Sequence, residues 1–455
     1  MTMQSRRDLF HAHRLMTQRA SLALLRGEPD TPDQPLRRLN VAAFSGLLVA
    51  AIVAVLFVIW GLLGHGGSPL RDQAGTLILD KQTGQAYVFC QHGELCPVVN
   101  YASARLALQS SSVNQQAVSQ ASLAKLARGP LIGIPGLPPL PDSGLLVRQP
   151  WSVCTRTALG PSGTQTTTTL AAGIQTGGTR LGRGALLAQA QGQDWVIWNA
   201  ERLPIQPDML SALSTVQQPM PVPPVWLDAL PRGPAFAPPV IAGQDSTVTG
   251  PAGPVRVGQV YQVTVVGSTQ YYVMLSDGLA PVSRTQAALL NSEPGAPRQA
   301  SLQASQVSDH RSATTVPGGG LPASIPAFAA PGSSAPLCVV YAGGARLTSQ
   351  VETGGQMPAG GVVTGIPADA GQVALPPGAG ALVGDAPGTG RRSGAISYFL
   401  VAAGRRYALA SKEVAGMLGY SLSQAAVLPA GVVDLIPAGP ALDPAQAARP
   451  VPGGG

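Results

Sequence analysis

The chain has 455 residues and a net charge of +7, with only 11% of residues charged and 5% aromatic. Its 55 glycines and 43 prolines exclude a compact all-helical enzyme and call for many turns, short strands and ordered loops. The bases are 26 arginines and three lysines with no basic block, which excludes a nucleic-acid footprint.

Residues 1–38 read as an amphipathic helix followed by a linker. Leu9, His13, Met16, Ala20 and Leu24 form a stripe, with Arg7, Arg14 and Arg19 elsewhere on the wheel. Gly27 and Pro29 end the helix. Such a basic helix can lie on a membrane leaflet or dock on a partner's helix. His11 and His13 do not share a helix face, so they are surface residues rather than metal ligands.

Residues 39–64 contain no charge. A helix needs about 20 apolar residues to cross a ~30 Å hydrocarbon layer, so this run reads as a transmembrane helix, with Trp60 as an interfacial anchor. A cleaved signal peptide has a shorter apolar run nearer Met1. A buried core helix would show an amphipathic face. Arg19, Arg26, Arg37 and Arg38 precede the run and only Arg71 follows it closely. The positive-inside rule therefore puts residues 1–38 in the cytoplasm and 65–455 outside.

Four later stretches share a pattern: a β-rich run with an aromatic residue, a tight turn, then an apolar step into a helix. The marker pairs are Tyr87 with Pro97, Trp195 with Pro204, Tyr272 with Pro281 and Tyr398 with Tyr407. Asp277-Gly278 supplies a hairpin turn, and Ser283 caps the helix carrying Ala287, Ala288 and Leu290. These stretches place repeat modules at 65–128, 191–245, 246–298 and 391–439. Their intervals are too unequal for a solenoid. Two strand-like inserts, WSVCTRTAL with TQTTTTLAAG and PLCVVYAGGARLTSQVETGG, place the halves of a central β core at 129–190 and 337–390. The expected fold class is α+β: a single transmembrane helix plus an extracytoplasmic β-rich core domain surrounded by four small αβ repeat modules. Within 129–190, the Pro-rich run 129–144 is apolar enough to be packed. The linker 299–336 is expected to be exposed over 316–336. The Pro/Gly-rich tail 440–455 is expected to be mobile or laid along a surface.

All four cysteines follow the span, and an even count outside a membrane reads as two disulfides. Three pairings are open. Cys90 and Cys96 could close a local hairpin. That leaves Cys154 with Cys338, closing a loop of about 184 residues worth roughly 5 kcal/mol in the chain-entropy model. A zinc site using His92 is the alternative, but two cysteines with one histidine and no second tight pair fit it poorly. No lysine follows a glycine: Asp80, Ala124 and Ser411 precede Lys81, Lys125 and Lys412, which excludes a standard phosphate loop. Neither H-E-x-x-H nor G-x-S-x-G with a credible histidine occurs, so no catalytic or metal residue is assigned. Lys81 and Arg105 are the bases in the first module that phosphate could touch, with a solvated surface role as the plainer reading.

QSRRDLFHAH, LDKQTGQAYV with PVVNYASARL, ARGPLIGIPG, WSVC at Trp151–Cys154 and LCVV at Leu337–Val340 together resemble EccB, the bitopic component of the actinobacterial type VII (ESX) secretion machine. The resemblance implies four modules, akin to phage-lysin cell-wall-binding repeats, around a disulfide-bonded core. It also implies an inner-membrane scaffold and assembly subunit packed with EccC-, EccD- and EccE-like subunits, paired with other EccB copies and near a mycosin protease. An ATPase activity has been ascribed to the family, so ATP enters only as an implied ligand and no other cofactor is expected. Contact with peptidoglycan is a further alternative. Cys90 and Cys96 depart from the family pattern.

Overall fold

The computed structural model describes residues 6–27, 35–63, 75–90, 93–160, 163–213, 215, 217–265, 267–343, 348–359, 361–363, 371–386 and 396–452. Residues 1–71 and 72–455 are separate compact units. The first unit holds α1 (Arg6–Arg26) and α2 (Pro35–Leu63). Within α2, Leu39–Gly61 is a 23-residue apolar run of mean hydropathy 2.8, long and apolar enough to cross a membrane. Gly64 lies outside the described residues, as do the side chains of Arg26, Arg37 and Arg38. Leu9, Met16 and Leu24 of the α1 stripe are all exposed.

The second unit begins with β1 (Thr76–Asp80), β2 (Ala86–Phe89), β3 (Leu95–Pro97), α3 (Tyr101–Leu108), β4 (Asn114–Val118) and α4 (Gln120–Leu123). A long hairpin follows, β5 (Trp151–Gly160) and β6 (Gly163–Ala172), then the short β7 (Thr179–Arg180). Next come β8 (Ala185–Ala190), β9 (Gln193–Trp198), β10 (Glu201–Ile205), a 3₁₀ helix Pro207–Leu213, β11 (Met220–Pro221) and α5 (Pro224–Asp228). The hairpin β12 (Thr247–Gly250) and β13 (Gly253–Arg256) precedes β14 (Val260–Val265), β15 (Ser268–Leu275), β16 (Gly278–Val282), α6 (Arg284–Asn291), β17 (Ala300–Ser301) and α7 (Ala304–Asp309). The chain then forms β18 (Leu337–Ala342), β19 (Thr348–Thr353), β20 (Gly361–Val363) and β21 (Gln372–Leu375). It closes with β22 (Ala381–Ala386), β23 (Ser397–Ala402), β24 (Arg405–Ala408), α8 (Glu413–Met417), β25 (Ala426–Pro429), α9 (Ala430–Asp434) and α10 (Pro444–Ala447).

Four of these groups form sheets of one topology: β3-β2-β1-β4, β10-β9-β8-β11, β16-β15-β14-β17 and β24-β23-β22-β25. Each is a three-stranded antiparallel meander, then a helix, then a fourth strand parallel to the first. A parallel strand needs a crossover, and the helix supplies it. Tyr87 and Pro97, Trp195 and Pro204, and Tyr272 and Pro281 are cross-strand partners. The fourth pair is one residue off the sequence expectation. Tyr407 faces Leu400, and Phe399, opposite Ala408, takes the place of Trp195. A one-residue slip exchanges the two faces of a strand, so Phe399 rather than Tyr398 is the equivalent ring.

Three boundaries also move. The first strands of modules 2 and 4, β8 and β22, fall within the stretches expected to be core. The last strand of module 3, β17, falls within the expected linker. Neither ALLAQA nor ALVGDA carries an aromatic marker, and β17 has only two residues. Their strand identity comes from pairing distant in sequence.

The turn in module 3 shows a similar shift. Ser276 and Asp277 form the loop, and Gly278 opens β16. A Cβ on Gly278 would lie 2.5 Å from His310 O, so glycine lets residues 310–312 pass beside the strand. Asp277 then accepts bonds from Ser312 Oγ, Thr314 Oγ1 and the Ala313 amide, which hold its carboxyl below the usual carboxylate value. Ser283 caps α6 in a capping box with Gln286.

The inserts build a seven-stranded sheet, β20-β21-β6-β5-β18-β19-β7. One face carries Trp151, Val153, Leu170, Val339 and Tyr341, which join Trp226 of module 2 and Val383, Leu428 and Ile436 of module 4 in the largest core. Burying side chains of this size contributes about 1.5–3 kcal/mol each. Modules 2 and 3 meet where Leu289 of α6 enters a cluster with Met209, Leu213 and Phe236. Modules 1 and 4 meet through Leu106 of α3 against Val414 and Leu418.

The Pro-rich run after module 1 is packed, with Ile132 and Ile134 buried. Two segments expected to lie free or on a surface are built in. Ala327 O and Ala329 N bond Ala185 of β8, so part of the 316–336 linker lies beside module 2. The C-terminal tail enters the seam of modules 1 and 4: Leu442 and Ala447 are buried in that core, and Val451 N donates to Leu131 O. Its small residues permit this close approach. Leu442→Ala is expected to lower stability by about 2–5 kcal/mol, read as a shift in the denaturant midpoint. An unshifted midpoint would mean that the tail is not seated.

Candidate functional site

No cleft among the described residues gathers catalytic groups, so the candidate site is the bridged core sheet itself. Cys154 of β5 and Cys338 of β18 are cross-strand partners whose Cα atoms lie 4.0 Å apart, joined by a disulfide. Alternation along each strand turns them away from Trp151 and Val339, onto the opposite face of the sheet. There they pack with Val340 and Met357, both sulfurs' residues fully buried. Glu352 is the next cross-strand neighbour of Cys338 and is buried. Its carboxylate accepts from Thr176 Oγ1 and from Gln350 Nε2 at 3.1 Å, with Arg180 Nε 4.0 Å away. A buried carboxylate needs such donors, and here they fix the β7 edge to β19. On the other face, Tyr341 donates its hydroxyl to Ala229 O. Burial pushes this phenol far above its ordinary value, so it is a structural hydrogen-bond donor.

Cys90 and Cys96 form a second disulfide, Cα atoms 5.8 Å apart, across the turn between β2 and β3. Gly129 passes beside it: a Cβ there would stand 2.5 Å from Cys96 Sγ. His92, the residue considered for zinc, lies outside the described residues. No cluster of three or more His, Cys, Asp or Glu occurs among the described residues.

Lys81 and Arg105 do not form a phosphate cradle. Lys81 is exposed on the turn after β1. Arg105 spends its guanidinium on backbone: Nε donates to Met417 O at 2.7 Å and Nη2 to Ser111 O at 3.3 Å. It thereby satisfies a carbonyl at the end of α8 and ties module 1 to module 4.

The sequence expectations missed a pair of arginines that act alike in modules 2 and 4. Arg202 lies over Trp195 and pairs with Asp228. Arg406 lies over Phe399 and pairs with Asp434 at 2.6 Å. Each joins the third strand to the end of the short helix that follows the fourth. The two helices, α5 and α9, approach where a Cβ on Gly431 would lie 3.6 Å from Asp228 O. The readable signal was an Arg after the aromatic run and an Asp closing PVWLD or AGVVD.

The family model described as type VII secretion system ESX-1, transport TM domain B, matches residues 3–451. The chain belongs to this EccB family. A relative in Mycolicibacterium smegmatis, named as the ESX-1 secretion system ATPase EccB1, is 31% identical over 293 residues, covering 61% of this chain and 59% of that protein. The chain thus spans about three-fifths of the length of the curated relatives it matches. Among solved structures, a chain of an intact ESX-5 inner membrane complex is 25% identical with a TM-score of 0.66, covering 99% of this chain and 96% of that one. A chain of an EccB3 dimer from the ESX-3 core complex is 26% identical with a TM-score of 0.67, covering 82% and 99%.

For this family member, Cys154→Ser is expected to lower stability by roughly 3–5 kcal/mol. Reductant should shift the wild-type denaturant midpoint and leave that of the variant nearly unmoved. An equal, large shift in both would assign the redox-sensitive stability to Cys90–Cys96 instead.

Proposed function

We propose that this chain is the bitopic scaffold and assembly subunit of a type VII (ESX) secretion complex in the inner membrane. Its N-terminus lies in the cytoplasm, and residues 65–455 lie outside. There it associates with other copies of itself and stands near a mycosin protease. The helix and span seat EccC-, EccD- and EccE-like subunits. The observation that carries this reading is how the body uses its reactive side chains. Both disulfides, the buried Glu352 and Tyr341, and Arg105, Arg202 and Arg406 all hold modules or strands together. A charge-poor body spent on its own rigidity suits the task of keeping partners in register. The flanking arginines before α2 support the orientation. Both disulfides suit an oxidising compartment. In spheroplasts, added protease should digest the body and spare residues 1–38. Cleavage confined to the first forty residues would reverse the topology and remove the proposal.

The name of the relative in M. smegmatis motivates a second reading, nucleotide hydrolysis. The three lysines lack the preceding glycine, and Arg105 is committed to carbonyls. Purified full-length chain is therefore expected to release no phosphate from ATP above background. Release abolished by Lys81→Ala or Arg105→Ala would favour the enzyme.

A further inference from the structure

Module 1 is held differently from the other three. Its sheet, α3 and the segment just after it enclose a core of their own, with Leu77, Val88, Cys96, Val98, Ala104 and Ile132. Among the described residues, none of module 1 enters the large core that modules 2 and 4 share with the central sheet. Its buried contribution to the cluster shared with module 4 is Leu106, joined by Ile134. Module 1 also contains both cysteines of one bridge, Cys90–Cys96, whereas the other bridge joins two core strands. Modules 2, 3 and 4 contain no cysteine. A domain of about 60 residues buries too little surface to be secure alone, and units this small are commonly stapled by a disulfide.

The chain after Leu442 crosses the seam from module 4 to module 1. Leu442 itself stays on module 4: its N–H donates to Ala408 O at 2.7 Å and its carbonyl accepts from Ala410 N at 3.2 Å. Asp443 then caps α10, which packs against α3 with Ala447 and Leu106 in one cluster. Beyond α10 the chain runs antiparallel to the segment 131–133. Val451 N donates to Leu131 O at 2.9 Å, and Gly133 N donates to Arg449 O at 3.3 Å. That segment belongs to module 1, because Ile132 N donates to Pro97 O and Ile132 O accepts from Val99 N.

This crossing has a slight grip. Among residues 443–452, Ala447 is the one buried side chain, and Ala445, Gln446, Ala448, Arg449 and Pro450 are exposed. Local opening costs least where few apolar groups are buried and the backbone bonds lie near solvent. With the crossing open, module 1 keeps Arg105 on Met417 O and the contact of Leu106 and Ile134. An interface this small leaves relative motion of two domains as the expectation.

We propose that residues 443–452 are a releasable strap that locks module 1 to the body, and that Cys90–Cys96 keeps module 1 folded while the strap is off. Module 1 follows α2 in the chain, so the strap sets whether the span's next module is fixed to the body. When it is off, the joint is the stretch 135–140, since Tyr420 Oη holds Pro141 O on module 4. In the scaffold reading this lets the body shift while partners hold the span, but the strap itself does not depend on that reading.

No described cysteine is free, so cysteines introduced at exposed Lys81 in module 1 and at Val240 in the body take spin labels in full-length chain purified in detergent. One narrow distance distribution is expected. A chain ending at Leu442, or one carrying Ala447→Glu, is expected to give a broad one. Limited proteolysis should leave residues 75–134 uncut in both variants. Adding Cys90→Ser with Cys96→Ser should then speed cleavage there roughly tenfold or more, and far less in a chain that keeps the strap. A narrow distribution in both variants would overturn the strap. Cleavage of module 1 with its disulfide intact, or loss of the β5–β18 core together with module 1, would do the same. An equal effect of the cysteine substitutions with and without the strap would overturn the part given to Cys90–Cys96. These outcomes leave assembly with other subunits untouched, so the scaffold reading stands or falls on the spheroplast test.

Discussion

Strands β5 and β18 lie side by side although 184 residues separate their bridged cysteines. Modules 2 and 3 are spelled out entirely within that interval. Once the two strands pair, both modules are a closed loop hanging from the core sheet, and module 4 follows directly from β21, next to the edge strand β20. A covalent bond between adjacent strands removes the largest entropy of that closure from the unfolded chain. It also removes any choice of register, since only Cys338 opposite Cys154 lets the sulfurs meet. Trp151, Val153, Val339 and Tyr341 then share the face that packs on modules 2 and 4. A slip of one residue would turn all of them over.

The repeated module explains how so many short strands coexist in a chain this poor in charge and aromatic rings. Each four-stranded unit is too small to bury both its faces. Modules 2 and 4 give one face to the core sheet and the other to a neighbour. Module 3 covers module 2 through α6, and module 1 covers module 4 through α3. The paired arginines reinforce the two modules nearest the core. Arg202 with Asp228 and Arg406 with Asp434 keep one partner substantially exposed, so each ion pair is worth little alone. Their stacking on Trp195 and Phe399 adds cation–π attraction and covers the ring.

The legible part of this architecture was local. Tight turns after an aromatic run exposed the hairpins of the modules, Ser283 exposed a helix start, and an uninterrupted apolar run exposed α2. WSVC and LCVV exposed two core strands because each is a short β-rich run that carries a cysteine. What escaped depends on contacts between distant residues. β8, β17 and β22 look like linker or core until their partners are known. The tail reads as low complexity, yet Leu442 and Ala447 are buried because modules 1 and 4 leave a seam of their size. Arg105 read as a solvated surface base, with phosphate the lesser alternative, and the carbonyls that take it lie at Met417 and Ser111. Phe399 was masked by Tyr398 beside it, since composition cannot distinguish the two faces of a strand.

The same reasoning separates the ribbon of β5 and β6 from ordinary surface. An exposed leucine on a folded chain needs no explanation. A two-stranded ribbon extending beyond its sheet does, because such hairpins are marginal by themselves in water and threonine is chosen where β-branched residues stiffen a strand. Thr157, Thr164, Thr166 and Thr167 supply that stiffness, and Thr157 and Thr166 join hydroxyls at 3.0 Å. Stiffening a projection costs conformational freedom without burying apolar surface in the same chain. The rigidity of the ribbon therefore begins in the core sheet that holds its base.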